Sequence, residues 1–361
     1  MGAVLGIGIS HYPPFSGLDA DMAGILRRRL ADPGVPAHAK DPAGWPALMR
    51  EEWGDDQGVR AAARHRAQML EGLLRVRAEL DAFRPDVVVI WGDDQYENFR
   101  EDVIPAFCVQ AYPDMTLRPW QQAGESAMMA GRPNVWNEPP EREFTVRVHR
   151  DAARHLVIGL LEREFDVAYA YKPLHHPGLS HAFLNAILYL DHERRGFDHP
   201  VVPFQINCYG SKVIGHRGFV TDIGDVRPLD PPSPSPRRCF DLGGAVARIC
   251  ADSPWRVALL ASSSWSHAFL VDRTWRMMPD VDTDRALYRA MLDGDYDAWR
   301  RFPLDRLVDS GGQEVLNWFA LVGAMNALGQ RVAWSSFVET YVFNSSKVAA
   351  VFAPGTPRPD A

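Results

Sequence analysis

The chain has 361 residues but only four cysteines, Cys108, Cys208, Cys239 and Cys250, with no C-x-x-C spacing among them. They read as reduced thiols in the core of a cytoplasmic protein. No apolar run approaches the roughly 18 residues needed to cross a bilayer, and no basic segment leads into an apolar one near residue 1. No membrane partner and no signal peptide are therefore expected. There is no excess of positive charge: the net charge of −7 argues against nucleic acid, which favours a basic face. A small anionic substrate stays compatible with this balance, because a local arginine cluster can sit inside an acidic protein. The chain also lacks internal repeats and a glycine-rich phosphate loop. The G-x-S-x-G elbow of serine hydrolases is absent. Gly6-Ile7-Gly8-Ile9-Ser10 does not set a serine between the required glycines, and Ser262, Ser263 or Ser264 would need an atypical turn to act as nucleophile.

What is present is an alternation of strand-like and helix-like segments. Val4–Ile9 is an apolar strand, and Gly58–Phe83 carries Met69, Leu70, Leu73, Leu74, Val76 and Leu80 at helical spacing. Arg84-Pro85-Asp86 ends that helix before the strand Val87–Trp91, which makes a β-α-β unit with parallel strands. Further strands are expected at Asp166–Tyr171, Pro200–Cys208, Trp255–Ser262, Phe337–Phe343 and Val348–Phe352. Helices are expected at Val146–Glu164, Ser180–Tyr189, Cys239–Ala251, 283–299 and 313–329. The pattern predicts one three-layer α/β/α domain over residues 1–353 with a mostly parallel central sheet. Insertions fall at about 16–60, partly helical, and 110–144, irregular and placed to cover a site; the proline-rich stretch 225–238 reads as a surface loop and 354–361 as a frayed tail.

Polar, metal-capable side chains follow several of these strands, where open α/β sheets bind ligands. His11 comes just after the first strand and is held by Pro13-Pro14. Asp93-Asp94-Gln95 ends the second; these oxygens suit metal coordination, or an Asp pair capping the next turn. His175 and His176 lie in a Pro/Gly turn, with His181 beyond them, and one of the pair is expected to act as ligand or acid–base group. His267 follows a serine run, placed to donate to a ligand or to metal-bound oxygen. His192 and His199 read as surface residues, and His38, His65, His149 and His155 receive no role.

Gly6-Ile7-Gly8-Ile9-Ser10-His11 resembles the first-strand metal-histidine motif of class III extradiol ring-cleavage dioxygenases, the group of the protocatechuate 4,5-dioxygenase β subunit. Arg84–Ile90, Val201–Phe204, Arg238–Gly243, Ser266-His267 and Gly311-Gly312-Gln313-Glu314 fit the same family in the same order. The resemblance implies Fe(II) held by two histidines and a carboxylate, with open positions for a catechol-like or aminophenol-like aromatic and O2. Carried over, His11 is the first metal ligand. His176 is the acid–base histidine, with His175 its rival across Pro177. The second histidine ligand aligns with Gln95, and the carboxylate ligand with Asp282, Asp280 being its rival.

These last two positions depart from the pattern. An amide is a weak ligand for iron beside imidazole, and Asp is one methylene shorter than Glu. Gln95 or Asp94 is then the ligand, or the metal is Mn or Zn, or it is lost. The expectation is ring cleavage; a metal-dependent hydrolase or lyase on the same scaffold and a degenerate binding protein are the rivals. Trp120 and Trp136 are expected to wall an aromatic pocket, and base rates favour a homo-oligomer.

Overall fold

A computed structural model describes residues 2–124, 130–216, 222–224 and 228–354. The expected tail at 355–361, part of the 110–144 insertion and the first residues of the 225–238 loop lie outside the described residues. Ten strands are present there: β1 (Val4–Ile9), β2 (Val87–Gly92), β3 (Phe107–Gln110), β4 (Met115–Leu117), β5 (Phe144–Val146), β6 (Ala168–Ala170), β7 (Val201–Ile206), β8 (Val257–Ser262), β9 (Gln330–Val338) and β10 (Lys347–Pro354). Eight form one sheet in the order β6-β3-β7-β2-β8-β1-β10-β9, while β4 and β5 pair separately within the insertion.

The four central strands β7, β2, β8 and β1 are mutually parallel. Antiparallel joints occur where β3 meets β7 and where β10 meets β1 and β9. Parallel strands buried on both faces need continuous apolar runs, and β2 and β8 are buried at every position. Alternate residues of one strand therefore serve different cores. Val87, Val89 and Trp91 face the helices Arg150–Leu161, Pro236–Ala251 and Leu316–Ala327. Val88 and Ile90 face the helices Val59–Phe83 and His181–Leu190. The result is the expected three-layer α/β arrangement.

The glycines of β1 have a packing cause. A Cβ on Gly8 would lie 2.3 Å from the Trp318 ring, and one on Gly6 would lie 2.1 Å from the Met325 sulfur. Bare backbone at these positions lets the helix Leu316–Ala327 lie directly on β1. That same helix crosses Pro236–Ala251 so closely that a Cβ on Gly243 would sit 1.8 Å from the Ala320 carbonyl oxygen. The turn entering Leu316–Ala327, which carries Glu314, is thus fixed from two sides.

Register brings the strand ends together. Ile9 lies beside Ser262, Trp91 beside Ala261, and Gly92 beside Gln205. The residues just beyond β1, β8, β2 and β7 consequently share one edge of the sheet. All four cysteines are buried and free, and burial pushes the Cys108 and Cys250 thiols up to about 12. Among the described residues no helix is long and apolar enough to cross a membrane.

Candidate metal centre

His11 leaves β1 into the Pro13-Pro14 turn and is 1 % exposed. Its Nδ1 lies 3.2 Å from the Ser262 hydroxyl, which itself donates to the Ala182 carbonyl at 2.6 Å. The hydroxyl proton is committed to Ala182, so Ser262 accepts from His11 and the imidazole proton sits on Nδ1. The lone pair on Nε2 then points at Glu314 Oε2, 3.6 Å away. Burial holds the His11 pKa down at about 4, against the pull of Glu314, so the ring is neutral.

Glu314 is equally buried. Its Oε1 accepts from the Tyr209 hydroxyl at 2.8 Å and from Gln95 Nε2 at 3.0 Å, and its Oε2 accepts from the Ser264 backbone N–H at 3.2 Å. Burial alone would raise this carboxyl; the surrounding histidines, of which His181 carries a charge, and the hydrogen bond from Tyr209 hold it below the ordinary value.

His181 opens the helix His181–Leu190. Its Nδ1 is 2.8 Å from Glu97 Oε2, and its backbone N–H donates to Glu97 Oε1 at 2.9 Å. Glu97 outweighs burial and raises the His181 pKa to about 10, while the histidine depresses Glu97 to about 2. The ring meets His11 edge-on with centroids 4.9 Å apart. His11, His181 and Glu314 each offer one ligand atom, and these atoms lie within 4.8 Å of one another. Two imidazoles and one carboxylate form the donor set of a two-histidine, one-carboxylate metal site, with His181 giving up the proton on the nitrogen that faces the group when a metal binds. A carboxylate on the far nitrogen of a ligating histidine, as Glu97 stands to His181, is the usual second support of such a ligand. The residues fit Fe(II).

His267 joins the group: it is 4 % exposed, its Nε2 lies 3.4 Å from Glu314 Oε1, and its Nδ1 has no hydrogen-bond partner. Gln95 is also present, donating to Glu314 and to Tyr209. Asp94 is not available to a metal. Its carboxylate accepts from the backbone N–H groups of Glu97, Asn98 and Phe99 and from Ser180 Oγ at 2.6 Å, the turn-capping role. Asp93 is fully buried with neither carboxyl oxygen bonded, and burial next to Glu314 pushes its pKa well up.

The expected carboxylate is a correction. Asp282 lies in the first turn of the helix Val281–Asp293, 90 % exposed and paired with Arg285 at 3.0 Å. Its rival Asp280 caps that helix through the Thr283 N–H and pairs with Arg273. Neither belongs to the group around His11; Glu314 supplies the carboxylate there. The signal was in Gly311-Gly312-Gln313-Glu314, a glutamate immediately before a helix. His181, which has no strand directly before it, joins the group without having been singled out from the sequence.

His175 is one-third exposed and paired with Asp102 at 2.9 Å. His176 is half-buried, accepts the Gly178 N–H on Nδ1, and lies outside the group of His11, His181 and Glu314. Trp120 and Trp136 pack at a tilt with ring centroids 5.4 Å apart, and Trp136 stacks on Tyr189 and meets His192. Their indole N–H groups are taken by Glu138 and the His192 carbonyl, so they pack the outer side of the helix His181–Leu190.

No protein-family model matches the chain. It is similar to curated proteins named 2,3-dihydroxyphenylpropionate/2,3-dihydroxicinnamic acid 1,2-dioxygenase. The protein of Paraburkholderia phymatum is 30% identical over 192 residues, 53% of this chain and 46% of that protein. That of Burkholderia vietnamiensis is 29% identical over 191 residues, with the same coverage, and that of Photorhabdus laumondii is 23% identical over 222 residues, 62% of this chain and 55% of that protein. The chain is similar to the class III extradiol dioxygenases. The match spans about half the length of these curated relatives.

Proposed function

We propose that this chain opens the ring of a catechol-like or aminophenol-like aromatic with O2, using Fe(II) held by His11, His181 and Glu314. The observation that carries the reading is the convergence of those three ligand atoms in a chain related to ring-cleaving dioxygenases. When bound, the metal supplies a Lewis-acidic centre with positions open to a chelating aromatic and to O2.

The protein's own groups have separable roles. Ser262 and Glu97 hold the two imidazoles with one nitrogen of each directed inward. The proton of a substrate hydroxyl or amine is taken by an imidazole outside the ligand set. His267 fills that role, because burial keeps it neutral and its Nδ1 is unbonded. His176, which the sequence resemblance sets as the acid–base group, is the alternative acceptor of the same proton. The buried surroundings of the group exclude bulk water and strengthen every charge interaction within it.

The test is anaerobic purification and metal quantification, followed by O2 uptake with a panel of catechols and aminophenols. One iron per chain and O2 consumption that depends on the aromatic are expected. His267→Gln should keep the metal and lower turnover by about 100-fold or more, the usual range for a lost general base. If His176→Gln shows that loss and His267→Gln does not, the proton transfer belongs to His176. Stoichiometric zinc with turnover that needs no O2 would overturn the reading in favour of non-oxidative chemistry.

A further inference from the structure

Gln95 stands where the family resemblance sets a histidine ligand, yet its side chain is engaged otherwise. Its amide nitrogen has two hydrogens and two acceptors, the Tyr209 hydroxyl and Glu314 Oε1. The Tyr209 hydroxyl accepts from Gln95 and donates its own proton to the same Oε1 at 2.8 Å. The three side chains close a triangle of hydrogen bonds around Glu314 Oε1. We propose that Gln95 and Tyr209 are a clamp on Glu314: they occupy Oε1 and so leave Oε2 as the single oxygen that binds metal, the histidine lost at position 95 being replaced by His181. This rests on the metal-centre reading above.

Three features of the geometry support the clamp. First, a carboxylate oxygen has two lone pairs. Two donors on Oε1 use both of them, with His267 Nε2 a further 3.4 Å neighbour of that oxygen, while Oε2 accepts the Ser264 N–H at 3.2 Å and faces His11 Nε2 at 3.6 Å. Second, the clamp residues are themselves fixed. Asp94 ties down the turn after β2 by accepting from three successive backbone N–H groups, and Tyr209, 2 % exposed, comes shortly after β7. Third, the clamp is chemically selective. A histidine at 95 would present one proton on one face; the amide presents two in a fork that reaches both Tyr209 and Glu314. Gln95 is therefore a positioning residue, acting on the metal through Glu314.

The experiment uses Co(II) as probe on the purified, metal-free full chain without oxygen. It reads the dissociation constant by titration and the coordination by visible absorption. Gln95→Met, close in shape but without a donor, and Tyr209→Phe should each weaken Co(II) binding by about tenfold, the usual effect of losing a support behind a metal ligand. Each should also alter the cobalt absorption, because a released Oε1 changes how the carboxylate coordinates. The double variant should lose less than the sum of the two, since both act on one oxygen. Gln95→His should bind more weakly than wild type. The clamp is overturned if both single variants keep wild-type affinity and spectrum, or if Gln95→His binds more tightly with a new absorption band, which would make residue 95 itself a ligand. Failure of the metal-centre reading looks different: wild type would not bind Co(II), or His11→Ala would bind it as well as wild type does.

Discussion

Asp282 and Glu314 differ in what precedes and follows them, and that difference decides which can reach a buried metal. Asp282 opens an amphipathic helix whose first turn favours acidic side chains through the helix dipole, so its acidity has a local explanation that needs no ligand. Glu314 has no such explanation: it sits between Gly311-Gly312 and a mostly apolar helix without charged residues, where a buried carboxylate must be paired. The position of Glu314 was therefore legible from its context, though the alignment pointed to Asp282, which lies outside the group around His11. His11 was legible because it follows a strand directly. His181 was not, because nothing in its sequence neighbourhood tells that Glu97, 84 positions earlier, will hold its ring. Single substitutions should separate ligands from bystanders. His181→Ala and His11→Ala should each abolish stoichiometric metal binding, whereas Asp282→Ala should leave metal content and affinity at the wild-type level. Metal analysis after dialysis reads all three, and a loss confined to Asp282→Ala would return the carboxylate role to that residue.

Among the elements, the strands of the sheet centre were readable, as was β10, expected at Val348–Phe352, whereas the edge strand β9 was not. Val87–Trp91 and Trp255–Ser262 are short apolar runs bounded by turn residues, and they became β2 and β8 with shifts of one or two residues at their ends. The strand expected at Phe337–Phe343 instead ends at Val338, with its pairing partner beginning at Lys347. The backbone donors of Tyr341 and Val342 are taken by the buried Glu52 carboxylate, and that of Phe343 by Thr340 Oγ1, so they cannot enter a ladder. No local pattern announces a side chain nearly 290 residues away. The 283–299 helix is likewise broken, by Gly294 in the left-handed region at φ 68°. Helix packing yields its own test. Gly243→Ala forces a Cβ against backbone of the helix that positions Glu314, and should cost about 1–3 kcal/mol of stability together with weaker metal binding. Gly244→Ala meets only ordinary contacts at 3.5 Å and should be neutral or add about 0.5–1 kcal/mol by the helical preference of alanine over glycine. Denaturant midpoints of the two variants check this, and equal losses would remove the crossing of these helices as the cause.

Across the whole molecule, the candidate ligands come from distant parts of the chain: a strand end at residue 11, a helix start at 181 and a turn at 314. Only the folded sheet assembles them, so the unfolded chain has no comparable site and metal binding must be linked to folding. A ligand present at 100 times its dissociation constant adds about 2.7 kcal/mol to the folded state. For a chain of this size such an increment corresponds to a melting shift on the order of a few degrees. The expectation is that metal-free protein melts lower than protein with Fe(II) or Mn(II) added anaerobically, and that a chelator reverses the gain. The increment should vanish in His11→Ala, whose chain keeps the fold but lacks one of the three donors. A variant that melts lower yet still gains the full increment would mean that the metal binds elsewhere, and that the convergence of His11, His181 and Glu314 serves packing and charge balance alone.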